Sequence, residues 1–106
     1  MQARQGDIFF KTVKSPPRNH KKHETNILAH GEVTGHSHKI MSPSISEMES
    51  VIDERGDIYV RSMKSSITIG HDEHDQIVLP QGEWVCVSRQ REYDPLAADR
   101  ERRVAD

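Results

Sequence analysis

Cysteine is almost absent from this chain. Cys86 is the only one among 106 residues, so no intramolecular disulfide can form, and a cysteine-rich zinc site is excluded. A lone thiol also fits a reducing compartment. Aromatic residues make up only 5% of the sequence, and no apolar run approaches the length of a membrane span. The opening residues, Met1 to Asp7, contain no apolar run of signal-peptide length. The expectation is a soluble, cytoplasmic protein with no membrane partner. Neither charge dominates. The net charge of −2 with histidines neutral gives no global attraction to nucleic acid. A Gly-rich phosphate loop, a serine-nucleophile motif, a dinucleotide fingerprint and heptads are all missing, so none of those routes to function has support in the sequence.

What is present is polar but not uniform. Hydrophobic residues are 33% of the chain and charged residues 30%, yet the apolar ones gather in short runs of Ile, Val and Phe. That pattern predicts a folded core with long polar loops rather than a disordered chain. The length suits one domain spanning 1–106 with one modest core. Residues 7–13 read as a strand that Gly6 introduces. Residues 14–23 hold paired prolines and the cations Lys14, Arg18, Lys21 and Lys22, which predicts a basic loop to which His20 and His23 add charge in acid. Short strands are expected over 25–29, 32–41, 51–52, 57–62, 66–70, 76–79 and 83–89. A connector over 42–50 and a hairpin turn over 54–57 separate them. In the strand over 83–89, Val85 and Val87 take the core side, and Cys86 shares the other side with Trp84 and Ser88. The charged segment 89–106 is expected as a polar tail, a short helix from Asp94-Pro95 or a return to the sheet edge. The fold class is therefore all-β, a small single-domain barrel or sandwich. Gly6-Asp-Ile-Phe-Phe and Gly56-Asp-Ile-Tyr-Val are alike, a likeness that turn-then-strand junctions produce by chance.

The chemistry lies in the histidines, of which there are seven. His36 and His38 are two apart, a spacing that puts both imidazoles on one face of a strand, roughly 6–7 Å apart at Cα. His71 and His74 are three apart, so on a loop or helical turn both can face one way. Together they suggest a divalent metal site. Three protein ligands leave a position open for water or substrate, whereas four close the site. Imidazole suits zinc, iron, nickel, manganese and copper, so ligand type does not identify the ion. Glu32, Asp72, Glu73 and Asp75 are candidate extra ligands or acceptors that fix an imidazole tautomer, with His30 in reserve. Arg89, Arg91 and Tyr93 alternate beyond the clearest strand, where two guanidiniums and a phenol could hold a phosphate or carboxylate. The competing reading is a charged edge that resists aggregation. Cys86 is expected to be an inert thiol, since nothing places a base beside it.

Two resemblances follow from these residues. Gly31 to His38, then Pro80-Gln-Gly82, resembles the two motifs of cupins: a His-x-His pair on a strand and a later Pro-x-Gly turn. The glutamate expected after His38 is missing, with Pro43 near its place, and Val85 stands where a later histidine would be. This resemblance implies a small β-barrel with metal in its mouth. More broadly, the chain looks like small uncharacterised bacterial and phage proteins. These open with Gln-Gly-Asp, carry Gly-Glu-x-Thr-Gly-His-x-His, and later have His-x-x-His and Arg-Gln-Arg-Glu-Tyr. That likeness implies no activity.

The leading expectation is a β-domain whose histidine cluster binds metal, with hydrolytic or small-molecule chemistry at an open position. The first alternative is a non-catalytic module that uses the basic loop and Arg89/Arg91 to bind a nucleotide, nucleic acid or acidic protein. The second is metal-independent phosphodiester cleavage by a histidine acid–base pair. A phosphate-containing ligand and a homodimer through sheet edges are the partners considered. Which residues would be catalytic is not fixed by the sequence.

Overall fold

The structure, a computed structural model, describes residues 1–30 and 36–89. Ten strands follow in order: β1 (Gln2–Gln5), β2 (Ile8–Val13), β3 (His20–Lys22), β4 (Ile27–His30), β5 (Ser37–Ser42), β6 (Glu49–Asp53), β7 (Ile58–Arg61), β8 (Ile67–Gly70), β9 (Ile77–Leu79) and β10 (Trp84–Arg89). A single 3₁₀ turn, Ile45–Glu47, stands before β6, and no α-helix occurs among the described residues. The strands form two antiparallel sheets. One has six strands in the order β1-β2-β10-β7-β6-β3, the other four in the order β4-β5-β8-β9. The fold is an all-β sandwich rather than a closed barrel. No helix is long and apolar enough to cross a membrane among the described residues.

Strand alternation explains the core. Ile8 and Phe10 of β2, Ile58 and Val60 of β7, and Val85 and Val87 of β10 all face inward. They meet Leu28, Ile40, Ile67, Ile69 and Leu79 from the smaller sheet. Fully burying such a side chain is worth about 1.5–3 kcal/mol. Cys86 lies on the other face of β10, half-buried, as expected, and burial pushes its thiol pKa up. That keeps it a poor nucleophile at neutral pH.

Two strands escape the sequence reading. β1 is polar and β3 lies inside the predicted loop over 14–23. Both are edge strands, held by backbone pairing to β2 and β6, and an edge strand does not need an apolar face to form. His23 also departs from expectation. It is buried, donates from Nε2 to the Ile27 carbonyl at 3.0 Å, and its Nδ1 is 2.8 Å from the Ser50 hydroxyl. It thus fastens β4 of one sheet to β6 of the other. Burial lowers its pKa, so it adds no charge to the basic loop near neutrality. His20 stays exposed on the edge.

The two similar Gly-Asp segments are both tight turns of the six-stranded sheet. Gly6 has φ of 60° and Gly56 has φ of 88°, values that side chains other than glycine rarely adopt. They join β1 to β2 and β6 to β7, the hairpins that flank β10. Because Val87 pairs with both Phe10 and Ile58, the two turns lie at the same end of the sheet, beside Arg89.

Candidate functional site

The end of the sandwich near Arg89 gathers side chains from both sheets. Asp7 comes from the β1–β2 turn, His38 from β5, His71 and His74 from the connection between β8 and β9, and Arg89 from the end of β10. His36 stands just before β5. The four predicted histidines come together. The His38 and His71 ring centroids are 4.3 Å apart, His71 and His74 are 4.8 Å apart, His38 and His74 are 6.3 Å apart, and His36 and His71 are 5.9 Å apart. Two imidazoles that share one ion through bonds of about 2.1 Å have centroids roughly 4.5–6.5 Å apart, so the spacing falls near that range. Among the described residues, no three His, Cys, Asp or Glu side chains stand with their donor atoms already arranged to hold an ion.

His38 is the buried member, 1% exposed. Its Nδ1 lies 2.8 Å from Gln5 Oε1, and its Nε2 is 3.8 Å from Asp7 Oδ1. Burial, aided by His71 and opposed by Asp7, pushes its pKa down to about 4. The imidazole is therefore neutral at pH 7, the form that ligates metals. Asp7 also accepts from Arg89, with 3.4 Å between Nη1 and Oδ2. Arg89 donates its other amino group to the His30 carbonyl. Arg89 is thus paired with Asp7 and the His30 carbonyl while about half of its side chain stays exposed. Arg91 and Tyr93 lie outside the described residues, as do Glu32, the 31–35 part of the glycine-histidine stretch and the tail beyond Arg89.

His36 sits at the rim. Its Nδ1 is 3.2 Å from Glu73 Oε1, and its Nε2 is 4.0 Å from Asp72 Oδ2. His71 accepts the Glu73 backbone N–H on Nδ1 at 3.0 Å. His74 packs against Gly6. A Cβ on Gly6 would stand 2.8 Å from His74 Nε2 and 3.5 Å from His38 Cε1, so that glycine is needed for space as well as for its backbone angle. Asp75 offers its backbone carbonyl, to Gln5, and His30 likewise contributes a carbonyl.

Sequence reasoning missed Gln5 and Asp7. Gln5 is 2% exposed and donates from Nε2 to the carbonyls of Asp75 at 2.8 Å and Ile69 at 3.2 Å. One buried amide therefore spans the gap between sheets and joins β1, the end of β8, the histidine loop and His38. The available signal was a polar residue on the inward side of a strand, immediately before a turn. Pro80 to Gly82 joins β9 to β10 at the other end of the sandwich, where the Gly82 N–H bonds the Ser62 carbonyl at 2.7 Å. The turn of the cupin likeness therefore does not adjoin the cluster.

A two-sheet antiparallel sandwich with histidines gathered at one open end is the class this geometry defines. The chain belongs to the family described as a domain of unknown function (DUF8820), whose model matches residues 4–90. No curated protein and no solved structure matches it.

Proposed function

We propose that this chain is a metal-binding β-domain whose divalent ion sits in the cluster of His36, His38, His71 and His74. The observation that carries the reading is the contact between His38 and Asp7. A neutral, buried imidazole presents Nε2 to a carboxylate oxygen 3.8 Å away. His38 shares its Nδ1 with Gln5, so two electron-rich atoms face each other inside a ring of further imidazoles. A cation between them relieves that opposition, and the histidines beside them complete its coordination. A small adjustment of His74, on the β8–β9 connection, would bring a further nitrogen onto such an ion. The ligand set of imidazoles and one carboxylate fits zinc, iron, nickel or manganese.

Open coordination positions at the rim would serve hydrolytic or small-molecule chemistry. The single half-buried thiol fits a cytoplasmic setting, where an exposed metal site stays in a reducing medium. The likeness to cupins is retained here only as a common chemical idea, metal held by histidines at the open end of a β fold.

Metal-stripped protein should gain thermal stability on titration with zinc or cobalt, because an ion that binds only the folded state adds about 2.7 kcal/mol at a hundredfold excess over Kd. The gain should vanish in His38→Ala. An unchanged Tm for the wild-type protein with every divalent ion tried would end this reading.

A further inference from the structure

Resting on the metal reading above, we infer that His38 and His71 rest in opposite tautomers. His38 is then a metal ligand through Nε2. His71 is a hydrogen-bond donor to an oxygen ligand on the ion, not a ligand itself. The assignment follows from which groups can donate. Gln5 Nε2 meets two backbone carbonyls, Ile69 at 3.2 Å and Asp75 at 2.8 Å. Both carbonyls can only accept, so the amide nitrogen must lie on that side and Oε1 on the other. Oε1 in turn can only accept, and it lies 2.8 Å from His38 Nδ1. The proton of neutral His38 is therefore on Nδ1, and Nε2 carries the lone pair.

His71 is fixed the other way. The backbone N–H of Glu73 donates to His71 Nδ1 at 3.0 Å, so that nitrogen holds the lone pair and the proton of the neutral ring is on Nε2. Ligation through Nε2 would move that proton to Nδ1 and break the hydrogen bond from Glu73. Nδ1 is the only nitrogen of His71 with a lone pair, and it is already engaged by its own loop. His71 lies between the other three rings, 4.3 Å from His38 and 4.8 Å from His74, with Nε2–H as the nitrogen left for the cluster. The inner ligands are then His38, Asp7 and His74. His71 supplies a proton donor beside the remaining coordination positions, and the positive charge of Arg89 stands behind Asp7. The group His71 would meet there is an oxygen ligand on the ion, which a carboxylate such as acetate supplies.

The test has two parts. In metal-free protein, long-range proton–nitrogen NMR should show His38 with Nδ1 protonated and Nε2 bare, and His71 with the reverse. Gln5→Leu should release the His38 preference and leave that of His71 intact. In cobalt-loaded protein, His71→Ala should keep the cobalt content of the wild type and weaken acetate binding about tenfold, the loss of one hydrogen bond to a charged group. His38→Ala should lose the cobalt. A His71 ring with Nδ1 protonated, or cobalt lost from His71→Ala as from His38→Ala, would overturn the assignment. If the wild-type protein takes up no cobalt, the metal reading and the ligand roles fall together, while the tautomers are still decided by the NMR spectra.

Discussion

The β1–β2 and β6–β7 turns have nearly the same sequence and opposite employment. Each places a glycine with positive φ before an aspartate and a strand, and both flank β10. At Gly56 nothing lies within 4 Å of an added Cβ, whereas at Gly6 the rings of His74 and His38 occupy that space. The nearby carboxylates differ in the same way. Asp53 accepts the backbone N–H groups of Arg55 and Asp57, both at 2.9 Å, and the Tyr59 hydroxyl at 3.0 Å. Burial alone would raise its pKa, but those donors outweigh burial and hold it low. Burial, together with the same bond to Asp53, raises the Tyr59 pKa. Asp7 instead faces His38 and Arg89 across the gap between sheets. A turn sequence specifies the local chain path. Whether its carboxylate closes the turn or serves a site is decided by what the opposite sheet brings to it.

Acid should separate the two turns most strongly. The folded pKa of His38, about 4, lies below its ordinary value of 6.5. The unfolded chain therefore takes up the proton first, and the contribution is complete above pH 6.5 and lost as pH falls toward 4. This amounts to about 3 kcal/mol in metal-free protein, and buried His23, also lowered, acts in the same direction. Asp53, with its depressed carboxyl, loses its contribution only below its ordinary value of 3.8. Denaturant titrations of chelator-treated protein from pH 7 to 4, with amide exchange read at both turns, should show the Gly6 end loosening while the Gly56 turn holds. Equal protection at both turns throughout would break the comparison.

Gly6→Ala comes next. Its backbone strain costs about 1 kcal/mol, as does that of Gly56→Ala, but only the Gly6 substitution meets the His74 imidazole. That ring is the free end of a side chain and can swing away, so the larger effect falls on the site. Zinc affinity by calorimetry should drop at least about tenfold for Gly6→Ala and stay unchanged for Gly56→Ala. Asp53→Asn should cost about 1–2 kcal/mol of stability, because the amide cannot accept as its carboxylate does, with zinc affinity unaltered. Asp7→Asn should do the reverse, weakening zinc while stability in the absence of metal changes little. The smallest effect is at Cys86, where alkylation by iodoacetamide at pH 7 should run slower than for a free thiol in denatured protein, since burial raises its pKa.

The sequence was most readable where apolar alternation is strict. β2 and β10 announce themselves through Ile8, Phe10, Val85 and Val87, and they pair side by side within the larger sheet. The polar edge strands β1 and β3 were not readable, because neither carries the apolar alternation that marks a strand in the sequence. The gathering of His36, His38, His71 and His74 was visible as two tight pairs beside strand ends. The identity of their partners was not, because Gln5 and Asp7 come from a stretch with no histidine, and their role depends on the register of β1 against β2. His23 shows the same limit in reverse. Its sequence neighbours are lysines and glutamate, yet its ring is buried between Ser50 and Ile27.

The most direct test of the central claim is the metal content of protein purified without chelators, measured by elemental analysis beside His38→Ala. The account predicts about one divalent ion per chain in the wild type and essentially none in the variant. Metal-free wild-type protein, or equal metal in the two, would contradict it.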